Sequence, residues 1–265
     1  MDAQALRRVK AFLIDLDGTL YLGDRLFEWT PAFLKALSRR GLRRFFMTNN
    51  SSRDAIGYAE KLRRLGVDAA PEEVITSGQS AALYLREHGE IRRVYVLGTE
   101  ALAEEVRRAG KEVVAERADA VLVGYATNLT FASLARAAVE IEHGAAFLAT
   151  HPDLVCPDPM GMLPDCGSLC QCLTAATGRG PQEVFGKPSR WMVRLVTDRC
   201  GLRPSEIAIV GDRLYTDMRM AAENGALAIL VLSGETSRQR LAEGKVRPDL
   251  VFEHVGELAA ALNGL

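Results

Sequence analysis

Ala11-Phe-Leu-Ile-Asp15-Leu-Asp17-Gly-Thr19 is the stretch on which the reading of this chain turns. Its apolar segment, Phe12 to Ile14, predicts a buried strand that stops at a turn signal. Two carboxylates, Asp15 and Asp17, stand at the carboxyl end of that strand. Residues two apart on a strand share a face, and Gly18 lets the chain bend the second carboxylate around the first. Carboxylates this close repel one another unless a cation or a shared proton compensates. Burying them without compensation is costly. A strand that merely ends in a polar turn would look the same, so the run needs support from the rest of the chain.

Outward from this run, strand-like and helix-like segments alternate almost throughout, which predicts an α/β fold with a mainly parallel sheet. Thr30-Pro31 reads as a helix start, with Thr30 as N-cap and the proline in the first turn, and Gly41 as the helix end. Arg44 to Met47 reads as a second strand leading into Thr48-Asn49-Asn50-Ser51-Ser52, with a helix running on to Leu65. Ile207 to Val210 reads as a strand before Gly211-Asp212, followed by a helix over Thr216 to Asn224 and a strand over Ala226 to Leu232. Residues 249–262 add a last short strand and helix. Between these blocks Val94–Leu97, Ala120–Val123 and Ala146–Ala149 read as strands, and Glu100–Ala109 and Phe131–His143 as helices. This alternation suffices for a second core. Residues 1–79 and 183–265 are therefore expected to form one discontinuous domain, and 80–182 an inserted α/β domain. Thr150 to Gly167, rich in Pro, Asp and Gly, reads as one long loop of the kind that is commonly functional in compact domains.

Composition narrows the classes. At 265 residues, 48% of them hydrophobic and 25% charged, the chain has the make-up of an ordinary globular protein with room for one large or two modest cores. A net charge of −1 gives no overall pull toward nucleic acid or an anionic membrane, so neither is expected as a partner. The polar stretch Met1 to Lys10 lacks the apolar core of a signal peptide, and no apolar run reaches membrane-spanning length, so a cytoplasmic location is expected. Five cysteines are expected to be free thiols. Cys156, Cys166, Cys170 and Cys172 cluster near His151, but Cys-x-x-x-Cys-x-Cys is not a usual structural-zinc spacing. Cys170 and Cys172 fall in an apolar, helix-like stretch, where cysteine acts as a small hydrophobe.

Polar clusters recur at strand ends. Besides Asp15-Leu-Asp17-Gly-Thr19 there are Thr48-Asn49-Asn50, then Gly186-Lys187-Pro188 before a helix near Ser189, and Gly211-Asp212 with Asp217 farther on. Ligands of open α/β sheets bind beyond the carboxyl ends of strands, so such clusters can converge. Asp15, Asp17 and Asp212 offer the hard oxygens that Mg²⁺ takes alongside waters and a substrate phosphate. Thr48, Asn49 and Lys187 offer donors and one cation for a phosphoryl group. With six lysines against 27 arginines, a lysine between glycine and proline, just ahead of a helix start, argues against surface filler. Each cluster alone has an ordinary reading: an N-cap run at Thr48, an exposed loop at Lys187, a first-turn carboxylate at Asp217. Their joint occurrence in this order favours a phosphate site.

These motifs resemble the haloacid dehalogenase (HAD) superfamily over essentially the whole chain. The similar branch is that of p-nitrophenyl phosphatases and sugar-phosphate phosphatases, the NagD-like proteins, whose large α/β cap lies between the second and third motifs. Asp15-Leu-Asp17-Gly-Thr-Leu matches the first motif, Thr48-Asn49-Asn50 the second, Gly186-Lys187-Pro188 the third and Gly211-Asp212-Arg-Leu-Tyr-Thr-Asp217 the fourth. Ile75-Thr-Ser-Gly78 matches the branch at the approach to the cap. The resemblance implies a Rossmann-like core with an inserted cap and Mg-dependent hydrolysis of a small phosphorylated metabolite. In it Asp15 is the nucleophile that becomes an aspartyl-phosphate, and Asp17 is the acid and base, touching Mg²⁺ through its carbonyl oxygen. Asp15 and Asp212 ligate the metal, Asp217 acts through a water or from behind the ligands, and Thr48, the Asn49 backbone and Lys187 hold the phosphoryl oxygens.

The match thins in the cap. Thr150-His151-Pro152-Asp153 stands where the branch often has Thr-Asn-Pro-Asp, and His151 reads as a phosphoester ligand, a proton donor or an exposed loop residue, the last being preferred. Pro164-Asp165-Cys166-Gly167-Ser168 aligns with a segment that makes leaving-group contacts, so Asp165 and Cys166 are expected to touch substrate. Trp29, where relatives tend to be smaller, is expected either to pack a flap near the site or to seat the next helix, the latter being preferred. A homodimer through the cap is implied by the resemblance only. Among competitors, a dehalogenase normally lacks Asp17, a phosphomutase usually carries a smaller helical cap after the first motif, and a dinucleotide oxidoreductase needs a glycine-rich first turn. A non-catalytic or regulatory metabolite-binding protein on the same fold is the remaining alternative.

Overall fold

In the computed structural model, which describes residues 3–158 and 160–265, the chain forms two compact units. The first comprises residues up to Met47, Tyr58–Ile75 and Val193–Leu265. The second comprises Thr48–Gly57 and Thr76–Met192. The inserted unit thus extends past the expected 80–182 at both ends and also takes in the polar turn after the second strand.

The first unit is built on a six-stranded sheet in the order Leu250–Phe252, Leu227–Val231, Ile207–Gly211, Ala11–Asp15, Arg43–Thr48, Val74–Thr76. The first five strands pair in parallel. Ala11–Asp15, Ile207–Gly211 and Leu227–Val231 are buried at every residue. Continuous apolar runs are what strands covered on both faces require. Removing Phe12, Leu13 or Ile14 from water contributes about 1.5–3 kcal/mol each. Strand order places Ala11–Asp15 centrally and pairs Ile14 with Val210 and Asp15 with Met47, so the Asp15 and Asp212 motifs leave adjacent strands at the same end.

The expected N-cap at Thr30 is shifted. Trp29 occupies the cap position of the helix Thr30–Arg39, because the Thr30 hydroxyl instead donates to Leu20 O at 2.7 Å. Gly41 ends the turn with φ +63°, as a left-handed terminator does. Trp29 stacks on His254, ring centroids 4.2 Å apart, joining the starts of the helices Thr30–Arg39 and Val255–Asn263. The helix expected over Thr216 to Asn224 is instead a π-turn, Leu214–Met218, followed by an α-helix, Arg219–Asn224.

The second unit has a five-stranded parallel sheet in the order Glu183–Val184, Ala146–Ala149, Ala120–Val123, Arg93–Leu97, Glu112–Val113. Its helices include Ser77–Glu87, Glu100–Arg108, Phe131–Glu142 and Cys166–Thr177. Cys166 and Cys170 lie in an apolar core with Val121, Phe147 and Leu173, whereas Cys172 is exposed on the same helix. The expected long loop is structured: Val155–Asp158 and Gly161–Pro164 form an antiparallel hairpin, and Cys166 already begins the helix. Pro157, Asp158 and Gly161 hide the hairpin from a reading based on strand propensity. Among the described residues no helix is long and apolar enough to cross a membrane.

Candidate active site

In the first unit the chain turns sharply after Asp15. Gly18 takes φ +83°, and a Cβ there would lie 2.5 Å from Asp212 Oδ2. That position needs glycine for both its dihedral and its space. Asp15 is buried, and Thr19 Oγ1 donates to its Oδ2 at 3.4 Å. Asp17 is exposed in the following turn, where its Oδ2 accepts from Gly23 N at 3.3 Å. Asp212 follows the Ile207–Gly211 strand and Asp217 sits in the π-turn. Ligand oxygens of Asp15, Asp212 and Asp217 all lie within 4.8 Å of one another. The side chain of Asp17 is not in this group, which leaves its carbonyl as the contact it could offer.

Three buried carboxylates in one place demand positive charge. Burial, then the neighbouring Asp15 and Asp217, push the Asp212 carboxyl up to about 7, against the opposing pull of the Glu235 N–H. The Arg213 guanidinium forms an ion pair with Glu235 at 3.0 Å. Asp212 Oδ2 accepts from Glu235 N at 2.6 Å, while its buried Oδ1 has no protein partner among the described residues. A hard divalent cation fits this donor set: oxygen ligands, like charges to neutralise and one buried lone pair left to fill.

The turn after the strand Leu227–Val231 completes the surround. Ser233 Oγ donates to Gly18 O at 2.8 Å, and a Cβ on Gly234 would fall 2.0 Å from Asp212 Oδ2. Gly211 is similarly constrained, since a Cβ there would meet Asp217 Cγ at 2.3 Å. Ser233-Gly234-Glu235 escaped the sequence reading although it follows a recognised strand, as the other polar clusters do. Gly234→Ala is expected to displace the Asp212 carboxylate and weaken divalent-cation binding about 10–100-fold, measured by calorimetric titration with Mg²⁺.

In the second unit Thr48 Oγ1 accepts from Asn50 N at 3.2 Å and so shapes the turn. Asn49 and Lys187 are brought together. Lys187 N donates to Asn49 Oδ1 at 2.7 Å, and Asn49 Nδ2 donates to Asp153 Oδ2 at 2.9 Å. Lys187 is 4% exposed. The Ser77 hydroxyl donates to the Asn49 carbonyl, holding the peptide from the other side. Asp153 and Ser77 lie within motifs noted in the sequence, but their grip on Asn49 exists only in the fold.

The residues expected to touch substrate, Asp165 and Cys166, lie in the interior of the second unit. Asp165 is buried as the N-cap of the helix Cys166–Thr177; its Oδ1 accepts from Cys166 N at 2.6 Å and lies 2.8 Å from His151 Nε2. Cys166 is fully buried, its thiol 3.2 Å from Val123 O. Both are committed to the interior. His151, expected to be exposed, is itself fully buried. Asp165→Ala removes both this cap and the partner of the buried His151 and is therefore expected to cost about 3–5 kcal/mol of stability, leaving the ranking of a phosphate-ester panel unchanged.

Comparison with known proteins matches this architecture. Residues 12–112 match the family model for haloacid dehalogenase-like hydrolases, and residues 184–258 a HAD-like hydrolase model. An acid sugar phosphatase of Staphylococcus aureus is 33% identical over 258 residues, covering 97% of this chain and 99% of that protein. A 4-nitrophenylphosphatase structure from Thermotoga maritima is 38% identical with a TM-score of 0.93, covering 97% of this chain and 99% of the other. A glycerol phosphate phosphatase from Mycobacterium tuberculosis, in complex with magnesium, is 34% identical with a TM-score of 0.89, covering 97% of this chain and 77% of the other.

Proposed function

We propose that this chain, which belongs to the haloacid dehalogenase-like hydrolases, is a phosphomonoester hydrolase whose nucleophile is Asp15. The buried group of Asp15, Asp212 and Asp217 carries the reading, because it supplies a nucleophilic carboxylate within a cation-binding set. Asp15, Asp212 and the carbonyl of Asp17 would hold Mg²⁺, with Asp217 behind them; when bound, the ion offsets the negative charge of the phosphoryl group. A relative solved with magnesium supports that ion, and the same relative has also been solved with calcium, so the site is read as one for a hard divalent cation.

Asp15 attacks phosphorus, forming an aspartyl-phosphate as the ester P–O bond breaks. Asp17, on its exposed turn, gives a proton to the departing alkoxide. It then takes a proton from the water that cleaves the acyl phosphate, returning Asp15 and releasing phosphate. Thr48, the Asn49 backbone and the Lys187 ammonium are assigned to the phosphoryl oxygens, where charge spreads in the transition state.

The substrate is a small phosphorylated metabolite of the sugar- or glycerol-phosphate kind, as the relatives' names suggest. The second unit is assigned the role of the cap, and a cytoplasmic site of action is supported by five free cysteines. Hydrolysis of p-nitrophenyl phosphate with and without Mg²⁺ tests the reading. Metal-dependent release of nitrophenol supports it. Absence of turnover on a panel of phosphate esters would favour the binding-protein alternative.

A further inference from the structure

The imidazole of His151 has no part in the chemistry above, yet it is fully buried and hydrogen-bonded on both sides. Its Nε2 lies 2.8 Å from Asp165 Oδ1 and its Nδ1 lies 2.9 Å from Thr150 Oγ1. Thr150 Oγ1 is in turn 3.1 Å from Ser51 Oγ, which accepts from Tyr125 N at 2.9 Å. Ser51 belongs to the turn that carries Thr48 and Asn49. A continuous buried chain therefore runs from the cap of the helix Cys166–Thr177 to this turn.

The same short loop reaches the turn a second time. Asp153, two residues after His151, receives the Asn49 side-chain amide. Gly186 lies between them: a Cβ there would be 2.6 Å from His151 Cβ, 2.7 Å from Asn49 Oδ1 and 2.8 Å from Thr150 O. Gly167 locks the other side, where a Cβ would sit 2.2 Å from Pro152 O. Such close packing lets a change at His151 reach Asn49 and Lys187 without intervening solvent.

We propose that His151 is a positioning residue for the reaction: its Nδ1 side holds Thr150 and Ser51, and so the Asn49–Lys187 pair, while its Nε2 side is anchored on Asp165. The inference rests on the assignment of Asn49 and Lys187 to the phosphoryl group. Burial opposes a charged imidazole, but Cys166, Asp165 and Asp153 outweigh it and push His151 up to about 9. Cys170 faces Cys166 from the next helical turn, its sulfur 4.0 Å away. A folded value above the ordinary 6.5 stabilises the fold fully below pH 6.5, and this contribution is lost as pH rises through about 9.

Two near-isosteres separate the two sides of the ring. Asparagine can place its amide near the Nδ1 position, and glutamine near the Nε2 position. With p-nitrophenyl phosphate and Mg²⁺, His151→Ala and His151→Gln are expected to lower kcat about 10–100-fold, because the phosphate-binding turn loses its support. His151→Asn is expected to stay within about threefold of the parent, although its thermal midpoint falls. The side-chain amide resonance of Asn49 should shift in the Ala and Gln variants and hold in the Asn variant. Variants that lose thermal stability while kcat and the Asn49 resonance stay unchanged would overturn the proposal, leaving His151 as packing. Because the resonance is read without turnover, an inactive parent enzyme would count against the phosphatase reading and not against this one.

Discussion

Asp15→Asn is expected to abolish turnover of p-nitrophenyl phosphate while leaving the fold as stable as before or more so. The amide keeps the volume of the carboxylate and can still accept from Thr19, whose hydroxyl lies 3.4 Å from Oδ2. It removes the attacking oxygen and the path through a covalent intermediate, and a nucleophile lost from such a unit costs roughly 10⁴-fold or more. It also removes one of three crowded buried negative charges. Asp15 is one of the neighbours that raise Asp212, so the Asp212 pKa should fall in the variant. Without metal, the thermal midpoint should therefore stay level or rise. Steady-state kinetics with Mg²⁺ and a metal-free melting curve read the two halves separately. Inactivity with a large fall in melting temperature would assign Asp15 to structure instead.

Lys187→Ala is expected to give the second largest loss, about 10²–10³-fold in kcat/KM, in line with removing one preorganised group that stabilises transition-state charge. The side chain is almost entirely buried, and its backbone nitrogen is pinned by Asn49 at 2.7 Å. A positive group held this tightly acts without first reorganising solvent. Lys187→Arg should rescue little, because a planar guanidinium cannot fit where a compact ammonium is enclosed. Inhibition by inorganic phosphate should weaken in both variants. An alanine variant with unchanged kinetics and unchanged phosphate inhibition would remove Lys187 from the site.

Much of this was legible in sequence because parallel strands buried on both faces leave unbroken apolar runs, and polar residues gather where those runs end. Phe12–Ile14, Ile207–Val210 and their trailing Asp15 and Asp212 show both signals. Other features depend on pairings over long separations. Asp165 carries the signature of a helix cap, yet nothing in its neighbourhood announces the imidazole of His151, 14 residues earlier. The hairpin Val155–Asp158/Gly161–Pro164 is held by backbone pairing and context, not by residues of high strand propensity. Thr30 looks like an N-cap until the fold offers its hydroxyl the Leu20 carbonyl. Gly234 and Glu235 are a different case: their position after the strand was available, and their meaning became clear only when the Asp212 carboxylate was seen against them.

The central claim is that phosphate passes through Asp15 and that Asp17 then activates the water that releases it. Asp17→Asn isolates the second step. Nitrophenolate leaves with little help from an acid, so formation of the intermediate should survive while its hydrolysis slows. Acid-quenching this variant during reaction with p-nitrophenyl phosphate and Mg²⁺, followed by peptide mass mapping, reads the intermediate directly. A phosphoryl adduct on Asp15 is the expected result. Nitrophenol release with no protein adduct, or an adduct on another residue, would contradict the account.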